Sequence, residues 1–398
     1  VYKRQGYFSI APNGQVCVHP HGEEGPSLDL YELAQDLRGR GLSTPVLLRF
    51  SDILHAQVRK LAACFQVAID DYGYEGRYRG VYPIKVNQQA QVVAELAAFG
   101  ESVDMGLEVG SKPELLVGLA MLDNPNALLV CNGYKDRNYI ETALLAQQLG
   151  RYPVIVIDRP NELDLVIKVS SELGIRPHLG VRARLNARGE GKWVESSGDR
   201  SKFGLSSTEI VAAVHRLRSE AMLDCLEMLH FHIGSQITAI RAHKDSLREA
   251  GRIFVGLHEH GARPKMIDVG GGLSVDYDGS QTSFHSSMNY SNQEYASDVI
   301  AAIQEACDDR GVPHPDVITE SGRALTSHAS VLIFDVLDVD RVESRSKPAA
   351  PGPEEHRVVQ ELHELDCNVS PENALESYHD AVQLKEEASS LFALGYLN

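Results

Sequence analysis

The sequence predicts an α/β chain: a closed (β/α)8 barrel of the TIM type, preceded by a short β-rich segment and followed by the start of a β domain and a helical insertion. Three observations predict it. Short runs at 79–85, 105–109, 127–131, 154–157, 178–183, 226–231, 266–269 and 316–319 are mainly apolar, as strands buried on both faces are. Helical patterns separate them, near 88–99, 111–122, 135–149, 161–173, 207–220, 239–260 and 292–310, and about eight such units is the count of a closed barrel. The unusual polar residues fall where the runs end, the face on which barrel enzymes keep their sites. A doubly wound open sheet is the alternative on pattern alone.

In chain order, Tyr7-Phe8-Ser9-Ile10 and Val16-Cys17-Val18 read as strands around the turn signal Pro12-Asn13-Gly14. Pro45 to Phe50 reads as a strand, after which Ser51 or Asp52 caps a helix running to about Asp71. Ser111-Lys112-Pro113-Glu114 is a helix start with a cap, an early proline and a glutamate three residues after the serine. Two long loops, 184–206 and 273–291, interrupt the alternation, and loops of that length in a compact domain usually carry function. Beyond Glu320 the character changes. Ser330 to Val339 reads as a long strand, 344–357 as a Pro- and charge-rich linker, and 371–394 as helical with Ser370-Pro371 at its start. The expected divisions are 1–77 for the β-rich segment and lead-in helix, 78–328 for the barrel, 329–343 for the start of the β domain, and 344–398 for the linker and helical insertion.

Over 398 residues, 43% hydrophobic and 23% charged composition is that of an ordinary globular chain with a large core. A formal net charge of −17 argues against nucleic acid or an anionic membrane as partner. No apolar run reaches membrane-spanning length. The six cysteines include no C-x-x-C pair, which favours reduced cytosolic thiols over a zinc site or disulfide framework. Val1 is not an initiator Met and the end follows a helical pattern, so both ends read as cut from a longer chain.

The residues at the strand ends suggest chemistry. Lys85 ends the first run, Glu108 the second and Arg182 the fifth; His232 follows the sixth, Gly270-Gly271-Gly272 the seventh and Glu320 the eighth. A lone lysine is usually a solvated surface residue, but within an apolar strand its ammonium is expected to have a lowered pKa, which suits a Schiff-base nucleophile. Three glycines read as a mere turn, or as a backbone cradle for an anion that Gly234-Ser235 extends and Arg323 neutralises. Glu320 pairs with Arg323 in one reading and faces a pyridine nitrogen in the other. His230 and His232 share a strand face, so one of them is expected to look into the barrel mouth, although a lone histidine is more often an ordinary core residue. Glu108 and Arg182 also read as a structural ion pair. The histidines show no H-x-x-x-H spacing for a metal. Together these residues point to a phosphate-bearing, pyridine-containing cofactor bound through an amine.

Six segments carry a family likeness: Tyr82-Pro83-Ile84-Lys85-Val86-Asn87-Gln88, Gly106-Leu107-Glu108-Val109-Gly110-Ser111-Lys112, Arg200-Ser201-Lys202-Phe203-Gly204-Leu205, His230-Phe231-His232-Ile233-Gly234-Ser235-Gln236, Ile267-Asp268-Val269-Gly270-Gly271-Gly272-Leu273 and Glu320-Ser321-Gly322-Arg323-Ala324. Together they resemble the biosynthetic arginine decarboxylases, of the alanine-racemase-like group of pyridoxal-phosphate enzymes, over nearly the whole chain. The resemblance implies that Lys85 holds pyridoxal 5'-phosphate, that His232 stacks on its ring and that Glu320 pairs with the pyridine nitrogen. It places Gly234, Ser235, Gly270, Gly271, Gly272, Gly322 and Arg323 around the phosphate, with Glu108 and Arg182 lining the site. It makes Ile267 to Tyr277 (Ile267, Asp268, Val269, Gly270, Gly271, Gly272, Leu273, Ser274, Val275, Asp276, Tyr277) a substrate-binding segment, although Asp268 and Asp276 also read as structural. It implies Mg²⁺, L-arginine as substrate, agmatine as product, and a homo-oligomer, either a dimer or a dimer of dimers. In that family a Cys and an acidic group from a C-terminal β domain complete the site across a dimer interface. Neither is identifiable here: Asp366-Cys367-Asn368 lies in a different context, just before the helical segment. The segment from Pro371 resembles the family's helical insertion, so the chain is expected to end inside it. Rival readings are a barrel decarboxylase acting on ornithine, lysine or diaminopimelate, a non-catalytic cofactor-binding homologue, and a phosphate-binding barrel with no Schiff base.

Overall fold

The structure, a computed structural model, describes residues 6–22, 25–186, 203–339 and 349–397. Two compact units divide the chain, Val1–Ile333 and Phe334–Asn398. In the first, β1 (Phe8–Ile10), β2 (Val16–Val18) and β3 (Leu28–Asp29) form an antiparallel sheet. Asp29 then caps α1 (Leu30–Gly39), accepting from the amides of Tyr31 and Glu32; this helix has no counterpart in the sequence reading. β4 (Val46–Arg49) leads into α2 (Ser51–Tyr72). Neither Ser51 nor Asp52 is its cap. Phe50 holds that position with extended backbone; its side chain has no atom to offer as a cap, and its amide donates across the fold to the Ala329 carbonyl at 2.8 Å. Asp52 instead sits in the first turn, where its charge meets the positive end of the helix.

The barrel then runs β5 (Tyr78–Pro83), α3 (Ala90–Gly100), β6 (Gly106–Val109), α4 (Lys112–Met121), β7 (Leu128–Cys131), α5 (Arg137–Gln148), β8 (Tyr152–Ile157), α6 (Pro160–Leu173), β9 (His178–Arg182), α7 (Ser207–Ser219), β10 (Leu226–His230), α8 (Ile240–Glu259), β11 (Met266–Asp268), α9 (Asn292–Asp308) and β12 (Asp316–Thr319). All neighbouring strands pair in parallel, and β12 closes on β5 with Val317 opposite Tyr78, which excludes the open sheet. Ser111 caps α4 as its spacing predicts, accepting from the Glu114 amide.

Strand alternation sorts the apolar side chains into two sets. Val81, Leu128, Val130, Val154, Val156, Met228, Met266 and Ile318 pack only with other strand residues and fill the interior. The opposite faces join a larger cluster with the helices, through residues such as Leu107, Leu129, Ile155 and Leu229. Full burial of such a side chain contributes about 1.5–3 kcal/mol. A packed interior leaves polar chemistry only at the ends of the barrel.

After β12 come α10 (Gly322–Thr326) and β13 (Ser330–Ile333), which pairs antiparallel with β4. The expected strand to Val339 stops at Ile333. Ile333 lies opposite Val46, so the next partner in register would be Pro45, which has no N–H to donate. In the second unit the helix expected over 371–394 is α12 (Ala374–Ala393), and ahead of it, across Val369-Ser370-Pro371, stands a helix the sequence reading did not include, α11 (Arg357–Asn368). Asp366 and Cys367 lie ahead of α12, as expected, and in the last turn of α11. Among the described residues no helix is long and apolar enough to cross a membrane.

Candidate active site

At the carboxyl ends of the strands a cavity of about 510 Å³ is lined by Lys85, His232, Ser235, Gly271, Glu320 and Arg323, among others. Strand ends far apart in sequence thus converge on one rim. Lys85 is not in the strand itself. β5 ends at Pro83, and Lys85 sits on one 3-10 turn, Ile84–Val86, with half of its side chain exposed in the cavity mouth. Gly322 permits this, since a Cβ there would lie 2.7 Å from Pro83 Cγ and 2.7 Å from Val86 Cγ2.

Lys85 Nζ is 3.0 Å from Glu108 Oε2. The expected lowering of its pKa is not what the site produces. Burial acts in that direction, but the Glu108 and Glu320 carboxylates outweigh it and hold the ammonium above its usual range. Glu108 is fully buried at the end of β6, and burial together with the Glu320 charge pushes its carboxyl up to about 7 against the pull of Lys85. Glu320 goes the other way. Burial opposes its ionisation, but His230 Nε2 at 3.1 Å and the Lys85 charge hold the carboxyl below its ordinary range. Glu320 accepts from His230 and Asn132, whereas Arg323 donates to Ser235 Oγ and to the Tyr277 hydroxyl, so the expected Glu320–Arg323 pair does not form. Arg182 does not pair with Glu108 either: its guanidinium lies 3.6 Å from Asp158 and over the Phe203 ring.

The two histidines divide. His230 is buried beneath Glu320, while His232 lines the cavity. His232 Nδ1 accepts from the Gly234 amide at 3.1 Å, and burial with Arg182 nearby lowers its pKa to about 3, so the ring is neutral at physiological pH.

Across the mouth, Gly270 and Gly272 have φ of +66° and +123°, and a Cβ on Gly270 would lie 2.2 Å from the Phe231 carbonyl oxygen. A Cβ on Gly271 would lie 3.0 Å from His232 Nε2. Only glycine lets this backbone pass so close beneath the ring. Arg323 reaches Ser235 Oγ from Nε at 3.3 Å and Nη2 at 3.2 Å, placing a guanidinium between the Gly234-Ser235 loop and Tyr277. The segment from Ile267 to Tyr277 is split by the cavity wall. Gly271, Gly272, Leu273 and Tyr277 line it, whereas Ile267, Asp268, Val269, Gly270, Ser274, Val275 and Asp276 are buried and do not, the Gly270 amide donating to Asp268 Oδ1 at 2.8 Å. Asp276 accepts from Ser287 Oγ and the Gly279 amide, and so serves the loop. Of the third family segment, Arg200, Ser201 and Lys202 lie outside the described residues; Gly204 N donates to Asp158 and Leu205 N to the Arg182 carbonyl.

Sequence reasoning passed over Asn132, His230's bond to Glu320, and Asp158. Asn132 and Asp158 stand immediately after β7 and β8, so the strand-end rule that selected Lys85 would have found both.

The amine, the ionised Glu320 and the glycine- and arginine-lined end of the cavity fit pyridoxal phosphate, with Lys85, Glu320, His232 and the two glycine loops as the residues that would hold it. Magnesium fits less well. Ligand atoms of His230, Asp268 and Glu320 lie within 4.8 Å of one another, a convergence that the helix-spacing rule could not reveal. However, all three residues are buried and His230 Nε2 is engaged with Glu320, whereas Mg²⁺ prefers oxygen ligands and retains its waters.

Residues 56–327 match the family described as pyridoxal-dependent decarboxylase, pyridoxal binding domain, and residues 352–398 match the arginine decarboxylase helical bundle domain. A biosynthetic arginine decarboxylase of Thermosynechococcus vestitus is 54% identical over 100% of this chain and 63% of its own length. That of Phocaeicola vulgatus is 45% identical over 98% of this chain and 62% of its own. The crystal structure of the biosynthetic arginine decarboxylase of Campylobacter jejuni superposes with a TM-score of 0.75 at 34% identity, covering 99% of this chain and 64% of that one. Diaminopimelate decarboxylase of Helicobacter pylori, at 20% identity and a TM-score of 0.61, shares the fold. The chain thus spans less than two thirds of the arginine decarboxylases it matches. With the family match running from α2 through α10, around a rim that presents an amine, a carboxylate and a glycine cradle, the chain belongs to the pyridoxal-dependent decarboxylases.

Proposed function

We propose that the protein to which this chain belongs removes CO₂ from L-arginine to give agmatine, an entry to polyamine synthesis. The convergence of Lys85, Glu320 and the glycine cradle on one cavity supports the chemistry. The match of residues 352–398 to the arginine decarboxylase helical bundle domain supports arginine over ornithine, lysine or diaminopimelate. When bound, pyridoxal phosphate supplies an electron sink for the breaking bond between the α-carbon and the carboxylate.

In this reading the residues of the chain bind and orient. Lys85 is the amine that would hold the coenzyme through its aldehyde carbon. Glu320, kept ionised by its neighbours, would keep a proton on the pyridine nitrogen and so preserve the ring's capacity as an electron sink. His232, neutral and anchored through Nδ1, presents its ring face as a stacking surface. Gly234, Ser235, Gly270, Gly271, Gly272, Gly322 and Arg323 receive the phosphate, and Glu108 and Arg182 set the charge around Lys85. Leu273 and Tyr277 border the space left for substrate. The carboxylate leaves as CO₂ and one proton is taken up at the α-carbon. The residue that delivers that proton and the acid that receives the guanidinium are expected from a partner subunit, so the working protein is a homo-oligomer, a dimer or a dimer of dimers, in the cytoplasm. Mg²⁺ has no step in this scheme.

Loading the protein with pyridoxal phosphate, reducing with borohydride and mapping the modified peptide is the direct test. Label on Lys85 is expected, and label on another lysine overturns the assignment. Agmatine formation by the complete protein, and its loss in Lys85→Ala, tests the reaction.

A further inference from the structure

The end of the cavity away from Lys85 is built from two loops on different strands. Gly234 and Ser235 follow β10, and Gly270 to Gly272 follow β11. The loops are zipped together by their own atoms: Ile237 N donates to the Gly272 carbonyl at 3.0 Å, and the Gln236 side chain accepts from Val275 N at 3.1 Å and donates to Val275 O at 2.7 Å. Two further ties come from outside both loops: Arg323, which bonds Ser235 on one and Tyr277 on the other, and Tyr290. The buried Tyr290 hydroxyl donates to the Ile237 carbonyl at 2.7 Å and accepts from the Ser274 amide at 3.2 Å. His243 Nε2 lies 3.1 Å from the same oxygen. Because the single hydroxyl proton goes to Ile237, His243 faces that oxygen with its Nε2–H, and its Cε1 backs directly onto Gly272, 3.1 Å from where a Cβ would stand.

We infer that Tyr290 is a positioning residue for the coenzyme's phosphate, its hydroxyl fixing the distance between the two glycine loops so that the backbone amides of Ser235, Gly271 and Gly272, rather than those of Gly234 and Gly270 which bond His232 and Asp268, face one anion. The inference rests on the reading above that these loops hold the phosphate. A cradle of backbone donors discriminates for an anion only if its two walls keep a fixed separation, since each amide is aimed by its loop rather than by a rotatable side chain. Tyr290 bonds one wall through a carbonyl and the other through an amide, so removing its oxygen loosens the gap and leaves Lys85 and Glu320 untouched. An ordinary core tyrosine would give a different result, affecting all ligands alike through general stability.

The neighbouring Tyr295 provides a matched control. It is buried in the same aromatic cluster, 5.0 Å from His243 between ring centroids, and its hydroxyl has no hydrogen-bond partner among the described residues. The test compares dissociation constants of pyridoxal 5'-phosphate and of pyridoxal, which lacks the phosphate, for the coenzyme-free chain, read by absorbance in wild type, Y290F and Y295F. Wild type is expected to prefer the phosphorylated form. Y290F is expected to lose about tenfold of that preference, the scale of one or two hydrogen bonds, with its affinity for pyridoxal unchanged. Y295F is expected to keep the wild-type ratio. A wild type without any preference defeats the phosphate reading and the inference with it. A wild-type preference that Y290F retains in full, or loses only through equal weakening of both ligands, overturns the role of Tyr290 while leaving the phosphate reading intact. Should Y290F not fold, Y290M, which also lacks the hydroxyl, is read by the same two outcomes.

Discussion

The Nδ2 group of Asn132 donates to Glu320 Oε1 at 2.7 Å and to Glu108 Oε1 at 3.1 Å, so one buried amide joins the two carboxylates on which the site's charge depends. Those carboxylates are driven apart: Glu108 up to about 7, Glu320 below its usual range. Two like groups with opposite shifts are what acid–base assignment within one site requires. Asn132→Ala removes a donor from both. The expected result in the complete protein is a fall of about ten- to a hundredfold in kcat/KM with a displaced pH profile, at a stability cost of about 1–3 kcal/mol. Asn132→Asp, which adds a third carboxyl, is expected to be worse than alanine. A pH–rate profile identical to wild type in the alanine variant would show that the bridge has no part in setting the charges.

The glycine run gives a prediction about folding rather than rate. Gly270 combines φ +66° with a Cβ position 2.2 Å from the Phe231 carbonyl oxygen, and that contact is backbone, which cannot swing aside. Gly270→Ala is expected to cost about 3 kcal/mol or more. Gly271→Ala, whose nearest neighbour is the His232 ring, is expected to affect coenzyme binding more than stability. Urea midpoints of the coenzyme-free variants separate the two, and equal losses would contradict the assignment.

The barrel was legible because each strand is a mainly apolar run and because start signals such as that at Ser111 mark some of the helices between them. The rim was legible because polar residues at strand ends are rare. Partner choice was not legible. Glu320 with Arg323 and Glu108 with Arg182 are reasonable pairs by charge, but closure of the barrel brings β7 and β10 to Glu320, and β8 to Arg182, across separations no local pattern encodes. The Lys85 pKa was misjudged for the same reason, since burial was visible in the sequence and the two facing carboxylates were not. β13 was overextended because its apolar run continues past Ile333, and the limit is set by Pro45 on the opposite strand.

Behind the rim, Lys135 and Glu162 form a fully buried pair at 3.3 Å, and Glu162 Oε2 also accepts from the Asp158 amide at 2.9 Å. Asp158 in turn holds Arg182 and the Gly204 amide. Lys135→Met strands a buried carboxylate and is expected to cost about 3–5 kcal/mol, with the double variant Lys135→Met/Glu162→Leu recovering part of it. Denaturation of the single and double variants measures this. A double variant no more stable than the single one would mean that Glu162 matters through its backbone bonds rather than through its charge.

The pH dependence of stability follows from Glu108. Its folded pKa is raised from the ordinary glutamate value to about 7, chiefly by burial, so between those values the folded state binds more protons than the unfolded one. The contribution is therefore fully present below the unfolded pKa and is lost as pH rises through the folded one, when a charge must be carried in a buried site. Asp268, raised for the same first reason, acts with the same sign, whereas Glu320, held low, contributes in the opposite direction at lower pH. His232 and His243, lowered to about 3 by burial, act in the opposite sense up to the ordinary histidine range. The stability of coenzyme-free wild type is therefore expected to fall relative to that of Glu108→Gln from about pH 5 to about pH 8, since the variant is neutral at that position at every pH and keeps every other group. Parallel stability curves for wild type and Glu108→Gln over this range would mean that Glu108 is already ionised throughout and that Lys85, rather than burial, governs it.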